Sequence, residues 1–149
     1  MNLFFMRHGQ ASFDAATDAE RPLTSLGRQQ SADMVQYLTQ LDDFDMIFVS
    51  PYLRAQQTLA SLNLPAHIKV TSLDELTPES DPTQTAITLN AYIEHFKMKK
   101  ALVIAHMPLL GYLMSEYVPG LEPLLFTTSG IAHISYNNDQ VHWQMYTPQ

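Results

Sequence analysis

Two arginines and two histidines of this chain stand where apolar runs stop, and between them they can bind and attack a phosphoryl group. Arg7-His8-Gly9 follows Leu3-Phe4-Phe5-Met6, and His106 follows Ala101-Leu102-Val103-Ile104-Ala105. A third run, Met46-Ile47-Phe48-Val49, stops at Ser50-Pro51 and puts Arg54 in the first turn of the helix expected after it. Short apolar runs of this kind read as buried strands, and open α/β sheets build their sites at the carboxyl ends of such strands. If the three strands are parallel neighbours, Arg7, His8, Arg54 and His106 converge. Two guanidiniums and two imidazoles are costly to gather unless an anion joins them, and phosphate is the natural candidate.

Each residue type suits a separate part of phosphoryl chemistry. An imidazole with a pKa near its usual ~6.5 is largely neutral at pH 7, so a ring nitrogen of His8 can attack phosphorus. Arg7 stays charged and offers a planar donor fork to the phosphoryl oxygens. Arg54 adds charge beside a helix N-terminus, where free backbone N–H groups already favour an anion. His106 is expected as a second donor, protonated when phosphate is bound. Gly9 is expected to let the backbone turn tightly beside the nucleophile. Four such groups can neutralise a transferring phosphoryl without a divalent ion, in a reaction governed by positioning and electrostatics.

The elements that must hold these residues are legible as an alternating series. The strand at Leu3–Met6 leads into a long polar loop, Gly9–Pro22, with Asp14, Asp18 and Glu20. Thr24 is the expected N-cap of a helix through Leu41, with Gly27 weakening its first turn. After Met46–Val49, Ser50-Pro51 reads as N-cap and first residue of a helix to about Leu62. A weak strand at Ile68–Val70, a loop over Thr71–Pro78 and a helix over Pro82–Lys99 follow. The strand Ala101–Ala105 and a helix between Pro108 and Pro119-Gly120 come next. Ile131–Tyr136 and Val141–Tyr146 alternate around Asn137-Asn138-Asp139, the pattern of a hairpin. The expected fold is therefore a three-layer α/β/α domain with a mostly parallel mixed sheet and a C-terminal hairpin, one domain over residues 1–149.

Composition narrows the partners. A length of 149 residues with 46% apolar side chains suffices for one buried core. A net charge of −7 argues against nucleic acid or an anionic membrane surface, yet a basic cluster inside an acidic shell selects a localised anion. Without cysteine there is neither a disulfide nor a thiolate metal site. No third histidine or carboxylate is spaced for zinc, so no metal is expected. The opening residues do not read as a signal peptide, and no apolar stretch approaches the ~20 residues of a membrane helix. A cytoplasmic monomer is expected. His67, His95, His133 and His142 share no spacing and read as structural or solvent-facing. Ser12, Thr24, Thr127, Thr128 and Ser129 are candidates to surround the phosphate.

The motifs resemble a known family. Arg7-His8-Gly9, Pro22-Leu23-Thr24-Ser25-Leu26-Gly27, Ser50-Pro51-Tyr52-Leu53-Arg54-Ala55-Gln56-Gln57-Thr58 and the late His106 are similar, in the same order, to those of the histidine phosphatase superfamily, also called phosphoglycerate mutase-like. Leu73–Pro78, His106–Leu113 and Phe126–Ser129 further resemble its small bacterial phosphohistidine phosphatases of the SixA type. The resemblance implies transient phosphorylation of His8, phosphoryl binding by Arg7, Arg54 and His106, and no metal or organic cofactor. It implies as substrate a phosphorylated histidine on a signalling phosphotransfer protein. Two other functions stay open: a phosphomonoesterase for a small metabolite, and a non-catalytic phosphoprotein-binding module.

Departures from the family pattern bear on that choice. Gln10 stands where many relatives have an acid, so no role tied to that acid transfers. Relatives acting on phosphoesters use a carboxylic acid to protonate the leaving oxygen, and Glu75 is the nearest match, with Asp74 second. The short interval from Arg54 to His106 has no room for the capping insertions of small-molecule mutases, which predicts an open site. An open site suits a phosphoprotein surface, and the weak P–N bond of phosphohistidine asks less of a general acid.

Overall fold

The structure is a computed structural model that describes residues 1–149. Six strands form one sheet in the order β3-β2-β4-β1-β5-β6, namely β1 (Asn2–Arg7), β2 (Met46–Val49), β3 (Val70–Ser72), β4 (Lys100–Ala105), β5 (Ile131–Asn137) and β6 (Gln140–Tyr146). β1 to β4 are mutually parallel, and β5 and β6 join antiparallel on the β1 side. The expected mixed α/β sheet and terminal hairpin are both present, the hairpin turning at Asn138 and Asp139, whose positive φ of 52° and 65° suit a tight two-residue turn.

Strict alternation in the central strands splits the core in two. Leu3 and Phe5 of β1, Phe48 of β2 and Val103 of β4 face a cluster with Leu89, Leu109, Leu113 and Phe126. Phe4 and Met6, Val49 and Ile104 face the opposite cluster with Met34, Leu38 and Leu62. Burial on both faces is why these strands read as unbroken apolar runs. The helices α1 (Ser25–Asp33) and α2 (Leu53–Leu62) cover the second face, and α3 (Pro82–Phe96) and α4 (Leu109–Tyr117) cover the first.

Element ends differ from the sequence reading for local reasons. The helix expected to reach Leu41 becomes a 3-10 turn at Met34–Tyr37. Beyond it Gln40 is left-handed, and the carbonyls of Thr39 and Gln40 both accept from the Lys100 ammonium, which fixes a turn there. α3 stops at Phe96 because Lys97 takes the left-handed cap and Met98 N–H closes on the Ile93 carbonyl at 2.9 Å. β3 lies two residues later than expected, paired Ile47 to Val70 and Val49 to Ser72. The segment read as loop therefore begins in a strand and holds a 3-10 turn at Asp74–Leu76. α2 begins at Leu53, not Pro51, so Ser50 is no helix cap.

Candidate active site

Parallel pairing of β4 with both β1 and β2 carries the three strand ends to one place. Backbone bonds pin His8 there: its N–H donates to the Ala105 carbonyl at 3.1 Å, and its carbonyl accepts from Ser129 N–H at 3.0 Å. The His8 ring is buried, with Nδ1 2.7 Å from the Gly9 carbonyl. A carbonyl only accepts, so Nδ1 carries the proton and Nε2 keeps its lone pair. Arg54 Nε donates to that Nε2 at 3.3 Å. Burial, helped by Arg54, Arg7 and Arg21 and opposed by the Gly9 carbonyl, pulls the His8 pKa down to about 4. His8 is a neutral base at pH 7.

The other members close around it. Arg54 is 4% exposed, and its Nη1 and Nη2 donate to the carbonyl and carboxylate of Asp18 at 2.7 and 3.2 Å. Arg7 donates from Nη1 to the Phe126 carbonyl at 2.7 Å. Burial first and Arg54 second lower the Arg7 pKa, though a guanidinium remains charged at neutral pH. The His106 ring lies 5.0 Å from the His8 ring between centroids, and its Nε2 is 2.7 Å from Ser50 Oγ. Burial above all, then the neighbouring His8 imidazole and the Arg54 guanidinium, push His106 down to about 2. Three buried side-chain polar atoms have no partner, and two of them, Arg7 Nε and His106 Nδ1, belong to this cluster. Arg7 Nε is an orphaned donor that calls for an acceptor, and a phosphoryl oxygen supplies one.

The depressed pKa values also link the site to acid stability. An unfolded histidine takes up its proton near pH 6.5, whereas the folded rings stay neutral down to about 4 and about 2. The unfolded chain therefore binds more protons below about pH 6.5, and stability falls as pH drops from there through the folded values. Tm measured from pH 7 to pH 5 is expected to decline, and less steeply in His106→Asn. Equal slopes would contradict the assignment.

Two glycines bring the loop to its helix. A Cβ on Gly9 would lie 2.7 Å from both the Gly27 carbonyl oxygen and Ser31 Oγ, and one on Gly27 would lie 2.2 Å from the Gln10 carbonyl oxygen. Gly9 is thus needed for close approach; its φ is not positive, so the tight-turn expectation is corrected. Gly9 N–H also donates to Thr58 Oγ1 at 2.9 Å, and that hydroxyl donates to the Arg54 carbonyl at 2.8 Å, tying the His8 loop to α2. Gly27→Ala is expected to lower stability by about 1–3 kcal/mol in urea unfolding, because the backbone clash exceeds the ~1 kcal/mol alanine gains in a helix.

Glu75 makes no direct bond to the cluster. It is half-buried in the 3-10 turn after β3; its carbonyl accepts from Thr85 Oγ1 at 2.6 Å, and its carboxylate makes no hydrogen bond or ion pair with Arg7, His8, Arg54 or His106. Asp74 is exposed. The following residues border the site instead: Thr77, Pro78, Glu79 and Ser80 line a cleft of about 380 Å³ with Asp18 and Tyr52. The sequence reading names Asp18 only as one of three loop acids, with no role at the site. Although burial raises its pKa, hydrogen bonds from Arg21 and Arg54 leave it below the usual carboxylate value. A single acid in a polar loop carries no periodic signal.

Among the remaining candidates Thr24, Ser129 and Ser12 make local structural hydrogen bonds. Thr24 caps α1 by accepting from Gly27 N–H at 3.0 Å, and it donates to Gln10 Oε1 at 2.8 Å. Ser129 is buried against Ser31, 2.9 Å between hydroxyls, and Ser12 Oγ accepts from Asp14 N–H. His67, His95 and His142 are exposed, and His133 stacks on Phe4 at 4.1 Å. No group of three or more His, Asp or Glu side chains is placed to hold a metal ion, and no helix is long and apolar enough to cross a membrane.

Comparison with known proteins agrees with the fold. The sequence model of the histidine phosphatase superfamily (branch 1) matches residues 3–78. The phosphohistidine phosphatase SixA of Escherichia coli K12 is 42% identical over 97% of this chain and 93% of its own. The SixA homolog of Haemophilus influenzae is 31% identical over 94% and 91%. The solved structure of the protein histidine phosphatase SixA complexed with tungstate superposes with a TM-score of 0.86 at 39% identity, covering 99% of this chain and 97% of that one.

Proposed function

The chain belongs to the histidine phosphatase superfamily, branch 1, and on that premise we propose that it removes the phosphoryl group from phosphohistidine on a phosphotransfer protein, with His8 as nucleophile. The observation that carries the reading is the proton placement on His8. With Nδ1–H held by the Gly9 carbonyl, the Nε2 lone pair points into a cluster of Arg7, Arg54 and His106. Nε2 attacks phosphorus, the substrate P–N bond breaks, and the departing imidazole takes a proton from solvent. Water then attacks phospho-His8, releasing phosphate and returning the lone pair to Nε2. Arg7 and Arg54 bear the charge on the phosphoryl oxygens in both steps. Tungstate, seen with the SixA structure this chain resembles, is a tetrahedral oxyanion of the same shape.

The low demand on a general acid separates phosphohistidine from phosphoesters. Imidazole leaves readily once protonated, whereas an alkoxide needs a positioned acid worth ~10²–10⁴-fold. Glu75→Gln is expected to leave kcat/KM for a phosphohistidine protein nearly unchanged and to slow any phosphoester hydrolysis far more, measured on one preparation. A small phosphoester turned over much faster than phosphohistidine, and dependent on Glu75, would install the metabolite phosphatase instead. The direct test of the main reading is a rapid quench with phosphohistidine protein at neutral pH, followed by mass spectrometry under alkaline conditions. Phosphate on His8 is the expected product, and phosphate on any other residue overturns the assignment.

A further inference from the structure

We propose that Ser50 is a positioning residue that fixes His106 as the Nδ1–H tautomer, so that His106 meets the phosphoryl group as a neutral donor while His8 meets it as the attacking base. The proposal deepens the reading of the site given above and rests on it for the phosphoryl group alone; the tautomer follows from hydrogen-bond accounting.

Ser50 is fully buried and held at each polar atom. Its N–H donates to the Ile104 carbonyl at 3.1 Å, its carbonyl accepts from Gln56 Nε2 at 2.9 Å, and its Oγ accepts from Tyr52 N–H at 3.2 Å. One hydroxyl proton then remains to be placed, and His106 Nε2 lies 2.7 Å away to take it. If the serine donates, Nε2 accepts and the ring proton sits on Nδ1. The reverse arrangement, Nε2–H donating into Oγ, leaves the serine proton without an acceptor. It also leaves a bare lone pair at the unpartnered, buried Nδ1, where an anionic oxygen would be repelled.

Packing keeps the ring from turning over to exchange its nitrogens. His106 is 1% exposed, with the Tyr52 ring edge-on at 5.1 Å and the His8 ring at 5.0 Å beside it. The two imidazoles thus share one tautomer but differ in which nitrogen the protein engages. At His8 the Gly9 carbonyl takes Nδ1–H and leaves a lone pair; at His106 the Ser50 hydroxyl takes the lone pair and leaves an N–H. That asymmetry assigns attack to one ring and donation to the other.

The test is long-range 1H–15N spectroscopy of the full chain labelled at histidine, at pH 7, combined with single-turnover phosphorylation of His8. Wild-type His106 is expected to show a protonated Nδ1 and an unprotonated Nε2. Ser50→Ala is expected to mix the tautomers and slow phosphoryl transfer about 10-fold or more, in kcat rather than KM, as a misplaced imidazole proton does in other enzymes. Ser50→Thr, which keeps the hydroxyl, is expected to restore both readouts. A protonated Nε2 in wild type overturns the proposal, as does Ser50→Ala with unchanged tautomer and rate. The wild-type spectrum needs no variant, so it decides the matter even where Ser50→Ala does not fold. The expected tautomer in a protein that never phosphorylates His8 would support the Ser50 assignment and overturn the functional reading, which keeps the two failures apart.

Discussion

His8→Ala is expected to abolish turnover of phosphohistidine, a loss on the order of 10⁴-fold or more, since the covalent intermediate has no other group to form on. The fold should survive. The bonds that hold this position in the sheet run through the His8 backbone, to Ala105 and Ser129, whereas the side chain bonds only to the Gly9 carbonyl and to Arg54 Nε and pairs with no strand. Far-ultraviolet circular dichroism and Tm near wild type, together with absence of a phosphoprotein band in a quenched reaction, make up the expected result. Residual activity within about tenfold of wild type in a folded variant would sink the covalent route, because the cationic residues left behind cannot form the intermediate.

Arg54→Ala is expected to cost about 10²–10³-fold in kcat, the scale of losing one pre-placed donor to transition-state charge. Arg54→Lys should recover little of it. A single ammonium can replace the charge but cannot at once reach His8 Nε2 through one nitrogen and Asp18 through two others, as the guanidinium does. The pH profile supplies an independent check. Arg54 is among the charges that hold the His8 pKa down, so its removal moves the acidic limb of kcat/KM to higher pH. A variant with the rate loss but an unmoved acidic limb would show that Arg54 lies farther from His8 than the structure puts it.

The strand ends were legible in the sequence because burial on both sheet faces makes each central strand an uninterrupted apolar run, and the residue that ends a run is then the residue at the site. Arg7, His8 and His106 follow from that reasoning, and Arg54 from the helix expected after Ser50-Pro51 even though α2 starts two residues later. Ser50 was misread because its hydroxyl looks like a helix cap in one dimension and faces a histidine 56 residues away in three. Asp18 and the contact of Gly9 with Gly27 were hidden for the same reason, being products of loop path and backbone proximity. The helix end after Asp33 went unseen because the Lys100 ammonium that captures Thr39 and Gln40 comes from a strand far along the chain.

The strand order has a consequence for how the protein comes into being. β4 separates β1 from β2, so the strands bearing His8 and leading to Arg54 have no hydrogen bonds to each other and meet only across residues 100–105. During vectorial synthesis neither element can settle into its final neighbourhood until residues 100–105 have been made, and β5, which covers the other edge of β1, is made later still. The nascent chain carries Arg7, His8 and Arg54 ahead of the strand that organises them, and His106 directly behind it. Contacts of such long sequence separation form late, and closing them is slow. The sheet framework that joins His8 to Arg54 is therefore missing until the central strand arrives, and appearance of activity on refolding requires β4 to have paired with both β1 and β2.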